Sequence, residues 1–120
     1  MYKPTAGELH DITLDHNEIA GNNTDDWETR ISGCGCTGGG KFWDAHTVRV
    51  TNNYVHHNKS VGLWADTNNY DFVFEGNWIE ANDAQAIFYE ISYNAAIRYN
   101  VIKGNLLVEG ANRIASSDNF

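Results

Sequence analysis

The sequence repeats itself, and each repeat carries asparagine at two fixed places. Four eleven-residue segments align without gaps, namely ITLDHNEIAGN, VRVTNNYVHHN, FVFEGNWIEAN and AAIRYNVIKGN, which begin at residues 12, 48, 72 and 95. Each has Asn at its sixth and eleventh places and Ile or Val at its eighth. The sixth-place asparagines are 36, 24 and 23 residues apart, so the underlying period is about 23. A unit this short cannot bury an apolar face alone but stacked copies can, so the repeat predicts a solenoid.

Within each repeat the apolar residues alternate with a period of two, as in Phe72 and Phe74. This period is typical of strands and excludes amphipathic helices. A second short strand, GLWAD at 62–66 and AIFYE at 86–90, begins nine residues after Asn53 and Asn77. The pattern predicts an all-β chain in which every coil contains several short strands.

The repeated asparagines have a structural explanation in such a coil. Each Asn is expected to lie above its equivalent in the neighbouring coil, about 4.8 Å away. Its amide both donates and accepts hydrogen bonds, so the stacked residues predict an asparagine ladder. Asn also tolerates the left-handed backbone of a sharp corner, which places Asn77 and Asn82 at corners on either side of Ile79.

The repeat, together with GLWAD and AIFYEISYNAAIRYN, resembles the right-handed parallel β-helix proteins of the pectate-lyase-like superfamily, in particular the secreted bacterial ones, over residues 10–115. The resemblance implies a right-handed parallel β-helix of about four to five coils and an extracellular location. It also implies acidic metal-binding or catalytic groups on an outward strand face. Because β-helices include lyases, hydrolases, epimerases and adhesins without activity, it predicts the fold more specifically than the function.

Composition limits the partners. The 16 Asp and Glu residues outnumber the 8 Lys and Arg residues, which argues against nucleic acid, and no apolar run approaches the length of a membrane span. Neutral sugars or cations remain compatible. The length predicts one domain over 1–120, whole or a segment of a longer β-helix, with a Gly-rich loop insertion at 33–40.

The strands GLWAD and AIFYE contain the candidate site. If Leu63 points inward, alternation turns Trp64 and Asp66 outward, and stacking sets them against Phe88 and Glu90. Two adjacent carboxylates repel each other unless a divalent cation, a shared proton or an arginine compensates. A cation predicts a Ca²⁺ site at Asp66 and Glu90, whereas a shared proton predicts a catalytic pair for glycoside cleavage.

If arginines compensate the two carboxylates, the four residues are a structural feature and not a site. The same register puts Arg30 in the coil before Asp66 and Arg113 in the coil after Glu90, which makes a self-neutralising ladder of four charges with no function. Such exposed pairs contribute on the order of 0–1 kcal/mol each.

Other residues near this face could bind substrate. Trp64 and Phe88 could form a sugar platform, although aromatic stripes more often pack under a loop, here the insertion. Lys59 and His57 lie near the corner that precedes GLWAD. The resemblance implies that a basic residue there could accept a proton beside a uronic acid carboxylate.

Cys34 and Cys36 lie within the insertion. A bridge between residues two apart closes a very small ring, and two cysteines fall short of the four ligands of a zinc site. The spacing therefore predicts free loop thiols, with metal or redox use as the alternatives.

Neither end of the repeat shows a capping element. We therefore expect either a segment of a longer β-helix or a homo-oligomer formed by end-to-end stacking of coils. In the homo-oligomer, the interface would contain either Leu106, Leu107 and Val108 or the first coil. Two functions follow from the sequence. One is a polysaccharide lyase or glycoside hydrolase-like module that binds or cleaves a polysaccharide on the exposed face, and the other is a structural or binding β-helix without enzymatic activity.

Overall fold

The computed structural model describes residues 9–110, and in this range the chain forms short strands and a single helical turn. No helix in this range has the length and apolar character needed to cross a membrane. In chain order the elements are β1 (Leu9–Asp15), β2 (Glu18–Ala20), α1 (Trp27–Arg30), β3 (Gly40–Trp43), β4 (Ala45–Thr51), β5 (Tyr54–His56), β6 (Leu63–Asp66), β7 (Tyr70–Glu75), β8 (Trp78–Glu80), β9 (Ile87–Glu90), β10 (Tyr93–Arg98), β11 (Val101–Lys103) and β12 (Leu106–Glu109).

The strands form three parallel sheets, and each turn of the chain adds one strand to each sheet. Sheet A has the order β1-β4-β7-β10, sheet B the order β2-β5-β8-β11, and sheet C the order β3-β6-β9-β12. Every pair of neighbouring strands is parallel. The connections between successive parallel strands all have the same handedness, so the chain winds into a coil. The architecture is a right-handed parallel β-helix, which confirms the fold predicted from the repeat.

The core lies inside the coil and follows the alternation seen in the sequence. Val48, Val50, Phe72 and Phe74 of sheet A are fully buried, and so is Ile79 of sheet B. The rings of Phe72 and Phe74 are stacked with their centroids 4.8 Å apart. Because each inward side chain lies above its equivalent in the next coil, the apolar surface that one coil leaves open is covered by its neighbour.

Asparagine side chains point inward at the corner between sheets A and B and hydrogen-bond along the stack. The Oδ1 of Asn77 accepts from both the backbone N and the Nδ2 of Asn53, each at 3.0 Å. The Oδ1 of Asn100 accepts from the same two groups of Asn77 at 2.9 Å. Asn53 and Asn77 are about 1% exposed, so these bonds satisfy groups that water does not reach.

The left-handed residue at each corner is the residue before the asparagine, so the sequence interpretation was wrong on this point. Asn52 precedes Asn53 with a φ of 54°, and Gly76 precedes Asn77 with a φ of 68°. The same arrangement recurs at the corner between sheets B and C, where His57 precedes Asn58 with a φ of 51°. The left-handed residue turns the chain, and the turn directs the following amide into the core.

A third column of polar residues lies at the corner between sheets C and A, and the repeat search missed it. Asn69 is fully buried, and its Oδ1 accepts from the backbone N of Ala45 at 3.2 Å. In the next coil, the hydroxyl of Ser92 accepts from the Nδ2 of Asn69 at 3.1 Å. Asn69 and Ser92 differ in identity, and in the coil before them only the backbone of Ala45 takes part, so this column has no signature in the sequence.

Candidate functional site

The outward face of sheet C brings together four of the predicted site residues. Trp64 of β6 pairs in register with Phe88 of β9, and Asp66 pairs with Glu90. The intervening Ala65 and Tyr89 are buried, so the four residues share the outward side. The equal spacing from the repeated asparagines predicts this juxtaposition, and the register confirms it.

A lysine that the sequence analysis missed organises this face. Lys41 of β3 pairs in register with Trp64, and its Nζ lies 2.9 Å from the Oδ2 of Asp66. The Nζ also lies 3.5 Å from the centroid of the Trp64 ring and donates a hydrogen bond to the backbone O of Gly35 at 3.0 Å. Only its position directly after the glycines of the insertion could have pointed to Lys41, and that signal is weak.

The predicted arginine ladder is wrong. Arg30 lies in α1, where its guanidinium is 3.6 Å from the Oδ1 of Asp25, and the residue opposite Asp66 in β3 is Trp43. Opposite Glu90, strand β12 has Glu109, and Arg113 lies outside the described residues. The insertion does not follow the period of the repeat, so counting residues back from Asp66 arrives at the wrong partner.

The two carboxylates have different environments. The Lys41 ammonium compensates Asp66, and the hydroxyl of Thr67 donates to the Oδ1 of Asp66 at 2.8 Å. Burial raises the pKa of Glu90, and the charge of neighbouring Asp66 raises it further. The Trp64 indole donates to the Oε2 of Glu90 at 3.1 Å and partly offsets these effects. A carboxyl with a raised pKa that lies beside an ion-paired carboxylate can serve as the acid of an acid–base pair.

Both faces of the Trp64 ring are occupied. Lys41 lies over the ring from the coil before, and Phe88 of the coil after is stacked on it, 15° from parallel at a centroid distance of 5.4 Å. A sugar platform requires an open ring face, because the apolar face of the pyranose lies flat on it. Trp64 therefore offers only its ring edge to a ligand, because its N–H group already donates to Glu90.

Lys59 and His57 lie at the corner between sheets B and C and make contacts of their own. The Nζ of Lys59 is 2.7 Å from the Oδ2 of Asp83 in the next coil. His57 is exposed, and its Nδ1 is 2.7 Å from the Nδ1 of His56 on sheet B. Within residues 9–110, the side chain of Lys59 pairs with Asp83 and that of His57 contacts His56. Neither side chain pairs with Asp66 or Glu90.

The residues of the face do not fit a Ca²⁺ ion. Calcium requires six to eight oxygen ligands, and Asp66 and Glu90 supply two carboxylates. One of these carboxylates is already bound to the Lys41 ammonium, which would repel a cation. We therefore assign no metal to this pair.

The insertion forms a cavity beside the lysine. The backbone N of Gly38 donates to the O of Lys59 at 2.9 Å, and a Cβ added at Gly39 would lie 1.5 Å from the O of Gly62, so only glycine allows the chain to pack this closely. Between the packed segment and α1 lies a cavity of about 430 Å³, lined by Asn23, Trp27, Gly35, Cys36, Thr37, Gly39 and Lys41.

Two side chains that line this cavity could contact a ligand. The Trp27 side chain is 45% exposed. The Oδ1 of Asn23 accepts from the backbone N of Trp27 at 3.1 Å, whereas its buried Nδ2 has no hydrogen-bond partner in the described structure. Sequence reasoning missed both residues, because α1 lies outside the repeat.

Cys34 and Cys36 form a disulfide, so the prediction of free thiols was wrong. The Glu28 carboxylate lies beside the bridge, with its Oε2 2.6 Å from the backbone N of Cys36, from which it accepts a hydrogen bond. A glycine precedes each cysteine and allows the chain to close this small ring, as Gly33 and Gly35 have φ values of 71° and 60°.

The coil of three parallel sheets and the acidic outward face define a β-solenoid protein of the β-helix class. The model of the family described as right handed beta helix region matches residues 6–120, and the chain therefore belongs to this family. Neither the curated proteins nor the solved structures include a match to the chain.

Proposed function

We propose that this chain is a carbohydrate-binding β-helix module that takes a neutral polysaccharide in the cavity between the insertion and α1. The observation that carries the proposal is the presence of a half-exposed indole and an unpaired amide donor in one cavity. The Arg30 guanidinium lies over the indole ring, 6.0 Å from its centroid, so a sugar would stack on the opposite face. Trp27 supplies the indole and Asn23 the donor. An aromatic ring covers the apolar face of a sugar, and a buried amide is best satisfied by a sugar hydroxyl.

Charge selects a neutral ligand over an acidic one. The chain has a formal net charge of −8. Lys41 is the cation that lines the cavity, and its charge is already balanced by Asp66. A uronic acid would have to displace Asp66 from Lys41, whereas the hydroxyls of a hexose need only hydrogen-bond partners such as Asn23 and Thr37.

Cleavage of the bound polysaccharide is the second candidate function. Asp66 forms an ion pair with Lys41, and the neighbouring Glu90 has a raised pKa. A glycoside hydrolase needs one carboxyl that donates a proton and a second that stays ionised. Because Lys41 links this pair to the cavity, a chain bound beside Trp27 could extend along sheet C toward Glu90.

An oxidising compartment agrees with this proposal. Disulfides persist mainly in secreted and extracellular proteins, and Cys34 and Cys36 form one at the edge of the cavity. We therefore propose an extracellular location, where polysaccharides are found.

Calorimetric titration with neutral hexose oligosaccharides tests binding. Trp27→Ala should weaken binding at least about tenfold, because the stacking surface is lost. Trp78→Ala is the matched control, since Trp78 on sheet B is 44% exposed and does not line the cavity, and it should bind as the wild type does. Equal affinity of the wild type and Trp27→Ala, or no binding of any oligosaccharide, would leave the structural role as the function.

Release of reducing ends tests cleavage separately. If the pair is catalytic, Glu90→Gln should abolish release and leave the affinity for the oligosaccharide unchanged. Binding without any release by the wild type would restrict the function to binding.

A further inference from the structure

We propose that Glu28, Cys34 and Cys36 form a binding site for a thiophilic divalent cation, Zn²⁺ or Cd²⁺, which becomes available when the disulfide is reduced. This proposal is independent of carbohydrate binding. It concerns three residues of the insertion that neither the repeat nor the outward face of sheet C requires.

The three ligand groups are already close together. One atom from each residue, a carboxylate oxygen of Glu28 and the Sγ atoms of Cys34 and Cys36, lies within 4.8 Å of the others. The Oε2 of Glu28 is 3.3 Å from the Sγ of Cys34. The backbone N of Cys36 donates to the same oxygen at 2.6 Å, which holds the carboxylate beside the sulfur atoms without any metal.

Electrostatics favours a cation at the site once the two thiols lose their protons. In the disulfide the two sulfur atoms are neutral, so Glu28 is the one charge of the group. Two thiolates beside the Glu28 carboxylate would place three negative charges in a small volume, and each would disfavour the others. A bound divalent cation removes this repulsion, and two sulfur ligands select a soft or borderline ion over Ca²⁺ or Mg²⁺.

Coordination can be completed from the cavity. Zn²⁺ and Cd²⁺ favour four ligands in a tetrahedron, and the protein supplies three. Cys36 lines the cavity described above, so a water molecule there can be the fourth ligand. Three protein ligands and one water give an open site of the kind found where a metal exchanges ligands.

The loop can make the necessary movement. Two sulfur ligands of one tetrahedral Zn²⁺ are about 3.8 Å apart, so Cys34 and Cys36 must separate once the S–S bond is broken. Both lie next to Gly35, whose backbone O accepts a hydrogen bond from Lys41 at 3.0 Å, so the movement falls on Cys34 and Gly33. A Cβ added at Gly33 would meet no atom within 4 Å. The segment therefore has room to move without disturbing the contacts of Gly38 and Gly39 with the next coil.

The chemistry balances with a dithiol as the reductant. A dithiol reduces the Cys34–Cys36 bond with two electrons and two protons and becomes a disulfide itself. When the cation binds, each cysteine thiol releases its proton to solvent, and two Sγ–metal bonds form. After removal of the metal, exchange with a small-molecule disulfide restores the bridge, because that disulfide takes up the two electrons and two protons and becomes two thiols.

Titration with Cd²⁺, followed by the ultraviolet sulfur-to-metal charge-transfer band, tests the site. Thiol quantification first establishes the redox state of Cys34 and Cys36. We expect no free thiol before reduction and two after it. The reduced protein, freed of excess reductant under nitrogen, should bind one Cd²⁺ with a charge-transfer band. The oxidised protein should show no band. Thiols in the untreated protein, or an equal band in the oxidised protein, would overturn the redox control.

Two variants show whether Glu28 takes part in binding Cd²⁺ or whether the cysteines bind it alone. Glu28→Gln keeps the disulfide and the size of the side chain and should weaken Cd²⁺ binding at least about tenfold. Asp25→Asn makes the same change of charge near α1 and should bind Cd²⁺ as the wild type does. If the reduced wild type binds no Cd²⁺, or if Glu28→Gln binds it equally well, the proposed site is wrong.

Discussion

Lys41 and Asp66 form an almost completely buried ion pair on the outward side of sheet C. The Nζ and Oδ2 atoms are 2.9 Å apart, and the two side chains are only 5% and 15% exposed. Lys41 is the second residue of β3, which follows the insertion, and Asp66 is the last residue of β6. The pair therefore connects the cavity of the insertion to the carboxylates of the coil.

Removal of one partner of this pair should destabilise the fold strongly. Lys41→Met leaves the Asp66 carboxylate buried without a counter-charge, and we expect a loss of about 3–5 kcal/mol in the free energy of unfolding. Urea denaturation measures this quantity. The double variant Lys41→Met with Asp66→Leu should recover most of the loss, because no charge then remains uncompensated. A single variant as stable as the wild type would show that water reaches the pair.

Asn77→Ala should destabilise the coil by about 1–3 kcal/mol, the cost of leaving buried polar groups without partners. The Oδ1 of Asn77 accepts two hydrogen bonds from Asn53, and its Nδ2 donates to Asn100 and to the backbone O of Val50. Thermal melts provide the measurement. Asn105→Ala is the control, because Asn105 is a repeated asparagine but is exposed, and its effect should be much smaller. Equal melts for both variants would contradict a structural role of the buried column.

Glu80 should stabilise the fold above acidic pH. The Lys103 ammonium, followed by the Tyr54 hydroxyl, lowers the pKa of Glu80 from 4.5 to about 2. A carboxyl with a lowered folded-state pKa contributes stability that is present above pH 4.5 and is lost as the pH falls toward 2. Glu80→Gln should therefore melt at a lower temperature than the wild type at pH 7, and the difference should narrow as the pH falls. A constant difference would contradict the linkage.

Glu90 should have the opposite effect. Burial, and then the charge of Asp66, raises the pKa of Glu90 above 4.5, so the folded state holds this proton more tightly than the unfolded chain does. The resulting stability is present below pH 4.5 and is lost as the pH rises through the folded-state pKa. Glu90→Gln should therefore melt at a higher temperature than the wild type at pH 7 and at a similar temperature below pH 4. A less stable variant at pH 7 would contradict the raised pKa.

The coil that contains β12 should associate with another coil. Leu106 and Val108 pair in register with the buried Ile87 and Tyr89, yet they are 46% and 43% exposed. Sedimentation at micromolar concentration should detect a homo-oligomer formed by coil stacking, because association would cover these side chains. Leu106→Asp with Val108→Asp should shift the protein to a monomer. A wild-type protein that sediments as a monomer would contradict this prediction.

The sequence by itself determined the coil and the register of its repeated part. Residues at the same distance from Asn53 and Asn77 must stack once the chain repeats, so Trp64 meets Phe88 and Asp66 meets Glu90. The period of two within each strand also determined which side chains enter the core. Both signals are local and regular. Stacking of identical coils converts them directly into the contacts between neighbouring strands.

Only the tertiary structure decided what surrounds these residues. The insertion has no period, so its path depends on the hydrogen bonds that Gly38 and Gly39 make with the next coil. That path brings Lys41 to Asp66 instead of Arg30 and encloses Trp27 and Asn23 in a cavity. The left-handed turns, too, depend on the backbone before each asparagine, where Asn52 and Gly76 serve equally well. A repeat determines how its copies stack, because equivalent residues lie above one another. A loop that interrupts the repeat is positioned by packing between residues far apart in the sequence.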